Sequence, residues 1–157
     1  MTFKVLSIKM RYYKLTSKPI LHIPEWLISF QKEIAEAILL AQDTGDVICD
    51  YRKRYDMSQQ EFGELMGLRR ESISRIENGS VTPTFDFVRK FINAAALIEA
   101  IRVERAQHME IDIYFLENLA KELGFNREKL TFMLKVAVES YDNKLMKIKK
   151  SLKENKT

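Results

Sequence analysis

Apolar residues recur every three or four positions along most of this chain, and this spacing predicts a mainly helical protein. Pro24 is expected to be the first residue of an amphipathic helix that ends before Gly45. The apolar side of that helix would be formed by Trp26, Phe30, Ile34, Ala37, Ile38 and Ala41. Further long helices are predicted over residues 84–106, 112–123 and 126–153, with shorter ones between residues 46 and 79.

The first 22 residues follow a different pattern, with the alternation of a β-strand and with five cations and no acids. The alternating apolar positions are Phe3, Val5, Leu6, Ile8, Met10 and Tyr12. A lone strand is unstable, so it must pair with a second strand around residues 14–20 or with another subunit. Two interpretations stay open. The segment is either an edge hairpin over the helical core, or a β-arm that dimerises or contacts phosphates through Lys4, Lys9, Arg11 and Lys14.

Residues 57–79 predict two short helices joined by a tight turn. Ser58 is a suitable N-cap, and Glu61 three residues later completes a capping-box pattern. The apolar side of the first helix consists of Phe62, Leu65 and Met66. Gly67 stands where the helix must end, because glycine adopts the left-handed conformation at little cost.

The second of these short helices has one apolar and one polar side. Ile73 and Ile76 would face the core, and Gly79 and Pro83 would end the helix. Its outward positions are occupied by Arg70, Glu71, Ser74, Arg75 and Asn78. A helix that only packs needs no such outer side, whereas a helix that enters the major groove of DNA does.

This segment resembles the helix-turn-helix of the phage-repressor-like family, also called the Cro-like or XRE family. The resemblance is carried by residues 58–63 (SQQEFG), Gly67, residues 73–79 (ISRIENG) and Pro83. It extends from residues 51–54 to about residue 91, roughly a third of the chain. The chain departs from the family pattern at Leu68-Arg69, where a small polar pair is commoner, and at Gly63, where alanine is usual. The glycine costs a helix up to about 1 kcal/mol.

The resemblance implies double-stranded DNA as the partner and a role for individual residues. The base-reading positions would be Arg70, Glu71, Ser74 and Arg75. The phosphate contacts would come from Gln59, Gln60, Arg69 and Asn78. Arg52 and Glu77 match a pair that forms an internal salt bridge in this family, so Arg52 is expected to be structural. A two-pronged contact between an arginine and a guanine is worth about 1–3 kcal/mol of discrimination.

The last predicted helix carries a second pattern, with apolar residues at alternating steps of four and three. These residues, the seam, are Leu134, Val138, Tyr141, Leu145, Ile148 and Leu152. We interpret the seam as a homodimer contact, because repressor-type proteins commonly bind two half-sites one DNA turn apart. The alternative is a terminal helix that folds back on its own core. Whether this helix or the N-terminal arm makes the dimer stays open.

Composition narrows the classes of function. The net charge is +4, with nine cations against four acids over residues 125–157. A single cysteine, Cys49, excludes an intramolecular disulfide and a cysteine-rich zinc site. No phosphate-binding loop, carboxylate pair or nucleophile motif occurs, so we expect no enzyme, no cofactor and no metal site. No apolar run reaches the roughly 18 residues of a membrane span, and no signal peptide is evident. A cytoplasmic protein without a membrane partner is therefore expected.

These patterns predict a five-helix repressor-like helix-turn-helix core with a short N-terminal β-strand or hairpin arm and a C-terminal helical extension. The expected division is a basic β-arm (1–22), a linking amphipathic helix (23–44), a DNA-binding domain (45–106) and a helical dimerisation region (107–157). The expected function is that of a sequence-specific transcriptional regulator of prokaryotic or viral type, acting as a repressor. The alternatives are an antitoxin-like interaction protein that autoregulates its operon and a DNA-coating protein of low specificity.

Overall fold

The computed structural model describes residues 23–108 and 110–154, which fold into seven α-helices. The helices are α1 (Glu25–Leu40), α2 (Thr44–Arg54), α3 (Gln59–Met66), α4 (Arg70–Glu77), α5 (Phe85–Gln107), α6 (Ile113–Glu122) and α7 (Arg127–Glu154). The mainly helical prediction is confirmed, and the described ranges contain no strand. The predicted β-arm falls on residues 1–22, outside the described residues. Among the described helices, none combines the length and the apolar content that a membrane span requires.

The boundary between α1 and α2 differs from the prediction. Pro24 precedes α1 instead of being its first residue, because its ψ of 143° is extended. Gly45 does not separate the two helices: it is the second residue of α2, and Asp43 caps that helix by accepting a hydrogen bond from the Gly45 amide at 2.8 Å. A Cβ atom at Gly45 would lie only 2.2 Å from the carbonyl oxygen of Ile76. Glycine is therefore required here by the close approach of α2 to α4. The predicted helix start at Pro24 was wrong, whereas the predicted end before Gly45 is confirmed, since α1 ends at Leu40.

Helix α5 lies at the centre of the fold and packs against α1, α3, α6 and α7. Its small buried side chains, which allow neighbouring helices to approach closely, are Ala94, Ala95, Ala96 and Ala100. Buried residues from all seven helices belong to one contiguous apolar cluster. The short α3–α4 pair is therefore supported from behind by a packed core, which fixes its orientation.

Helices α5 and α7 run in the same direction. Lys90 of α5 and Lys129 of α7 both donate to carbonyl groups at the carboxyl end of α3. Further along both helices, Arg105 Nη2 lies 3.3 Å from Asp142 Oδ1. Helix α6 connects the two and is followed by a turn in which Asn126 caps α7 by accepting from the Lys129 amide at 2.9 Å.

Candidate nucleic-acid interface

The chain turns sharply between α3 and α4, and local chemistry explains the turn. At the start of α3, Ser58 Oγ accepts from the Glu61 amide at 3.1 Å and Glu61 Oε2 accepts from the Ser58 amide at 2.7 Å. The predicted capping box is therefore present. Gly67 ends α3 with a φ of 71°, in the left-handed region that favours glycine. The Leu68 amide then donates to the Gly63 carbonyl at 2.8 Å and closes the turn.

The glycine at position 63 has a packing reason that the sequence did not show. A Cβ atom built there would lie 2.6 Å from the carbonyl oxygen of Leu68. The backbone that leads into α4 thus passes over α3 more closely than a methyl group permits. In a helix, glycine costs up to about 1 kcal/mol relative to alanine. At this position the cost is offset, because glycine avoids the clash with the Leu68 carbonyl oxygen.

Helix α4 presents charged side chains to solvent on one side. Arg70, Glu71 and Arg75 are exposed, and Ser74 is half-buried. The opposite side is buried through Ile73 and Ile76. Within the described part of the chain, Arg70, Glu71 and Arg75 form no ion pair and no side-chain hydrogen bond. Their charged groups are therefore available to an external partner.

Behind α4, a buried ion pair joins Arg52 of α2 to Glu77. Arg52 Nε donates to Glu77 Oε1 at 2.5 Å and Nη2 donates to Oε2 at 2.9 Å. The third guanidinium nitrogen donates to the Met57 carbonyl at 2.7 Å, and Gln59 Nε2 donates to Glu77 Oε2 at 2.9 Å. Burial acts to raise the pKa of Glu77, but the hydrogen bonds from Arg52 and Gln59 outweigh it and lower that pKa. At 9% exposure Arg52 is a brace between helices and is not presented to solvent.

Residues 50–95 match the family model described as helix-turn-helix. The chain carries an XRE-type helix-turn-helix. The matched segment begins in α2, ends in α5 and includes all eight residues assigned to bases or phosphates. No curated protein and no solved structure matches the chain. A helix-turn-helix of this type indicates a DNA-binding regulator, and α4 is the second helix of the motif.

The two glutamines at the start of this helix-turn-helix use their amide groups within the protein. Gln59 is half-buried against Glu77, whereas Gln60 is exposed and its Nε2 donates to Glu64 Oε1 at 3.1 Å. A side-chain amide nitrogen carries two hydrogens, so each glutamine keeps one for a phosphate. Gln60 is the more accessible of the two.

Arg69 and Asn78 stand at the two ends of α4, and both are exposed. Asn78 Oδ1 accepts from the Ser80 amide at 3.0 Å and from Ser80 Oγ at 2.5 Å. These bonds fix the side chain and leave its NH₂ group to donate outward. Arg69 is the N-cap residue, and its side chain makes no capping bond. Both positions thus keep donors for phosphate contacts.

Three lysines outside α2–α4 bind the carboxyl ends of α2 and α3, a feature that the sequence analysis missed. The acceptors are the Met66 carbonyl for Lys90 at 3.1 Å, the Glu64 carbonyl for Lys129, and the Arg54 carbonyl for Lys144 at 2.6 Å. A cation near the negative end of a helix dipole is favourable. The partners are 24, 65 and 90 residues apart, so no local pattern could have revealed them.

The seam of α7 divides into two parts. Leu134, Val138 and Tyr141 are half-buried, and Leu134 and Val138 pack against the chain's own core. The last three seam residues are exposed by 37% at Leu145, 56% at Ile148 and 59% at Leu152. The first part of the seam thus folds back on the chain's own core, as the alternative interpretation expected. Within the seam, only Leu145, Ile148 and Leu152 remain as an uncovered apolar side.

Proposed function

We propose that the protein is a sequence-specific transcriptional repressor of the cytoplasm that binds double-stranded DNA as a homodimer. It acts by binding, without catalysis and without a cofactor. The observation that carries the proposal is the pair of exposed guanidinium groups, Arg70 and Arg75, on a reading helix that a buried ion pair supports from behind. Charged side chains without internal partners are suited to bind a ligand, since no existing bond has to be broken first.

The chemistry of α4 supports base reading. A guanidinium group donates two parallel hydrogen bonds to O6 and N7 of guanine, worth about 1–3 kcal/mol per base pair. Glu71, which follows Arg70, can accept from the amino group of cytosine. One short reading helix offers few such contacts. Two copies on two half-sites are needed for a useful specificity ratio, which supports the dimer.

Selection of binding sites from a random pool of double-stranded DNA tests the proposal. We expect a palindromic site whose half-sites are centred about 34–36 Å apart. A ratio of specific to non-specific affinity near one would refute sequence-specific regulation and favour the DNA-coating alternative. Stoichiometric copurification of a second protein that competes with DNA would favour the antitoxin-like alternative. The exposed apolar side of α7 is the surface that such a protein could bind.

A single substitution separates base reading from general attraction. Arg75→Ala should abolish the preference at one position of the selected site, with a loss of about 1–3 kcal/mol there, because a base contact is removed. Arg105→Ala is the matched control, since it removes the same charge from α5 at a residue that pairs with Asp142. Equal weakening of all DNA sequences by Arg75→Ala would show that Arg75 contacts phosphate.

A further inference from the structure

The end of α7 is a helical segment with an uncovered apolar side. Every residue over 145–154, which we call the tail, is exposed. At 1.5 Å per residue the tail is about 15 Å long. Leu145, Ile148 and Leu152 recur at helical spacing and line one side of it. The tail has no packing partner among the described residues, so its apolar side is free to contact another surface.

The charge of the tail argues against a second tail as that cover. The tail contains Lys147, Lys149, Lys150 and Lys153 against one acid, Glu154. In a parallel pair with Leu145, Ile148 and Leu152 at the contact, Lys144 of one helix would face Lys149 of the other. Like charges at such positions destabilise pairing. The apolar side of the tail therefore requires a surface that is both apolar and acidic.

The outer side of α1 is apolar at its carboxyl end and carries two acids against one cation, Lys32. Leu39 and Leu40 are exposed by 73% and 77%, among the four largest exposures of the large apolar residues that the structure describes. Glu33 and Glu36 lie beside them on the same helix, are exposed, and form no ion pair with any described residue. We call these four residues the α1 patch.

Two other strongly exposed apolar residues of the described chain lie beside acids that already have partners. Tyr114 of α6 is exposed by 76%, but Asp112 caps that helix and Glu117 Oε1 lies 3.4 Å from Arg127 Nε. Phe85 is exposed by 80%, but the adjacent Asp86 is paired with Arg89. The α1 patch is thus the better electrostatic match for the lysines of the tail.

We propose that the tail of one chain packs on the α1 patch of a second copy, and that the contact is reciprocal. Within one chain both surfaces are exposed, so they do not cover each other. In a reciprocal contact, the tail of each copy covers the α1 patch of the other, so the tail and the patch of both copies are buried. Such an arrangement closes as a two-fold dimer. The inference rests on the proposed dimeric regulator and specifies which surfaces make the dimer.

The contact also gives the reading helices a fixed spacing. The part of α7 before the tail is bound to the ends of α3 and α2 through Lys129 and Lys144. The tail continues the same unbroken helix. A partner held at the tail is therefore held at a defined position relative to each helix-turn-helix, as two half-sites of one operator require.

Charge reversal tests the contact on the full chain without DNA, by sedimentation equilibrium. Lys147→Glu/Lys149→Glu and Glu33→Lys/Glu36→Lys should each weaken the dimer by at least about tenfold, because like charges then meet across the contact. A chain that combines the two pairs of substitutions should regain most of the affinity. The matched controls are Lys135→Glu on α7 and Glu25→Lys on α1, which are exposed, lie outside the tail and the patch, and should leave the dimer unchanged.

Three outcomes would overturn the inference: a wild-type chain that stays monomeric, a combined variant no tighter than the separate ones, or α1 variants that dimerise as the wild type does. Leu40→Ser and Ile148→Ser, at exposed positions where folding is little affected, should each weaken the dimer as well. Base preference on a DNA fragment with one half-site separates this inference from the proposed function. Preference retained in variants that no longer dimerise supports both, whereas absence of preference in the wild type refutes only the proposed function.

Discussion

Replacing Arg52 with methionine tests whether this arginine supports the reading helix from within the protein. The substitution keeps most of the side-chain volume but removes the guanidinium group that donates to Glu77 at 2.5 and 2.9 Å. Glu77, which is 7% exposed, would keep the hydrogen bond from Gln59 but lose both bonds from a cation. Removing one partner of a buried ion pair leaves an uncompensated charge, which typically costs about 3–5 kcal/mol. For a protein of this size that corresponds to a fall in Tm of roughly 6–20 °C.

The pH dependence of the loss follows from the pKa of Glu77. In the wild type the folded-state pKa is below the unfolded value, so the carboxylate contributes stability above that unfolded value. This contribution disappears as the pH falls through the folded-state pKa. Without Arg52, burial raises the pKa of Glu77, and protonation then relieves the uncompensated charge. The difference in unfolding free energy between wild type and variant should therefore be largest near pH 7 and shrink as the pH falls below about 5.

Denaturant unfolding followed by circular dichroism at several pH values measures this difference. Glu77→Gln and the double variant complete a cycle in which the double variant should lose less than the sum of the two single losses. Affinity for non-specific DNA, measured where the variant is fully folded, should be unchanged, because Arg52 is 9% exposed. A stability loss below about 1 kcal/mol together with a weaker salt dependence of DNA binding would refute the argument and make Arg52 a phosphate contact.

Two further substitutions test contacts of the helix-turn-helix. Gly63→Ala introduces the residue that is usual in the family. It should nevertheless destabilise the protein by about 1–3 kcal/mol, because the new methyl group would clash with the Leu68 carbonyl oxygen. A stabilised variant would contradict this expectation and show that the turn relaxes easily. Lys144→Met removes the hydrogen bond to the Arg54 carbonyl and should cost about 1–2 kcal/mol in the same unfolding assay, whereas Lys135→Met, at an exposed position of the same helix, should cost almost nothing.

The parts of the fold that the sequence predicts well are those determined within a few residues. Ser58 and Glu61 bond each other's backbone amides, and Gly67 adopts the left-handed conformation that the pattern requires. The requirement for glycine at positions 45 and 63 is different, because each faces a carbonyl oxygen of another segment. A sequence shows that glycine is present but not which backbone approaches it.

The seam of α7 illustrates a second limit. Its periodicity predicted correctly that Leu134 and Leu152 belong to one helix, but periodicity does not show what covers each position. Leu134 packs against the chain's own core and Leu152 is exposed. The lysine contacts to α2 and α3 were also beyond sequence reasoning, because they join residues that are far apart in the chain.

The placement of exposed charges explains how a neutral segment can face DNA. Residues 45–92 contain eight cations and eight acids, so their total charge gives no attraction. The internal ion pairs Arg52–Glu77 and Asp86–Arg89 each remove one cation and one acid, so they leave this balance unchanged. On α4 and its N-cap, the exposed charges that remain are those of three arginines and one acid: Arg69, Arg70, Arg75 and Glu71. The exposed surface of α4 is therefore positive, although the segment as a whole is neutral. Its affinity for DNA should fall as the salt concentration rises.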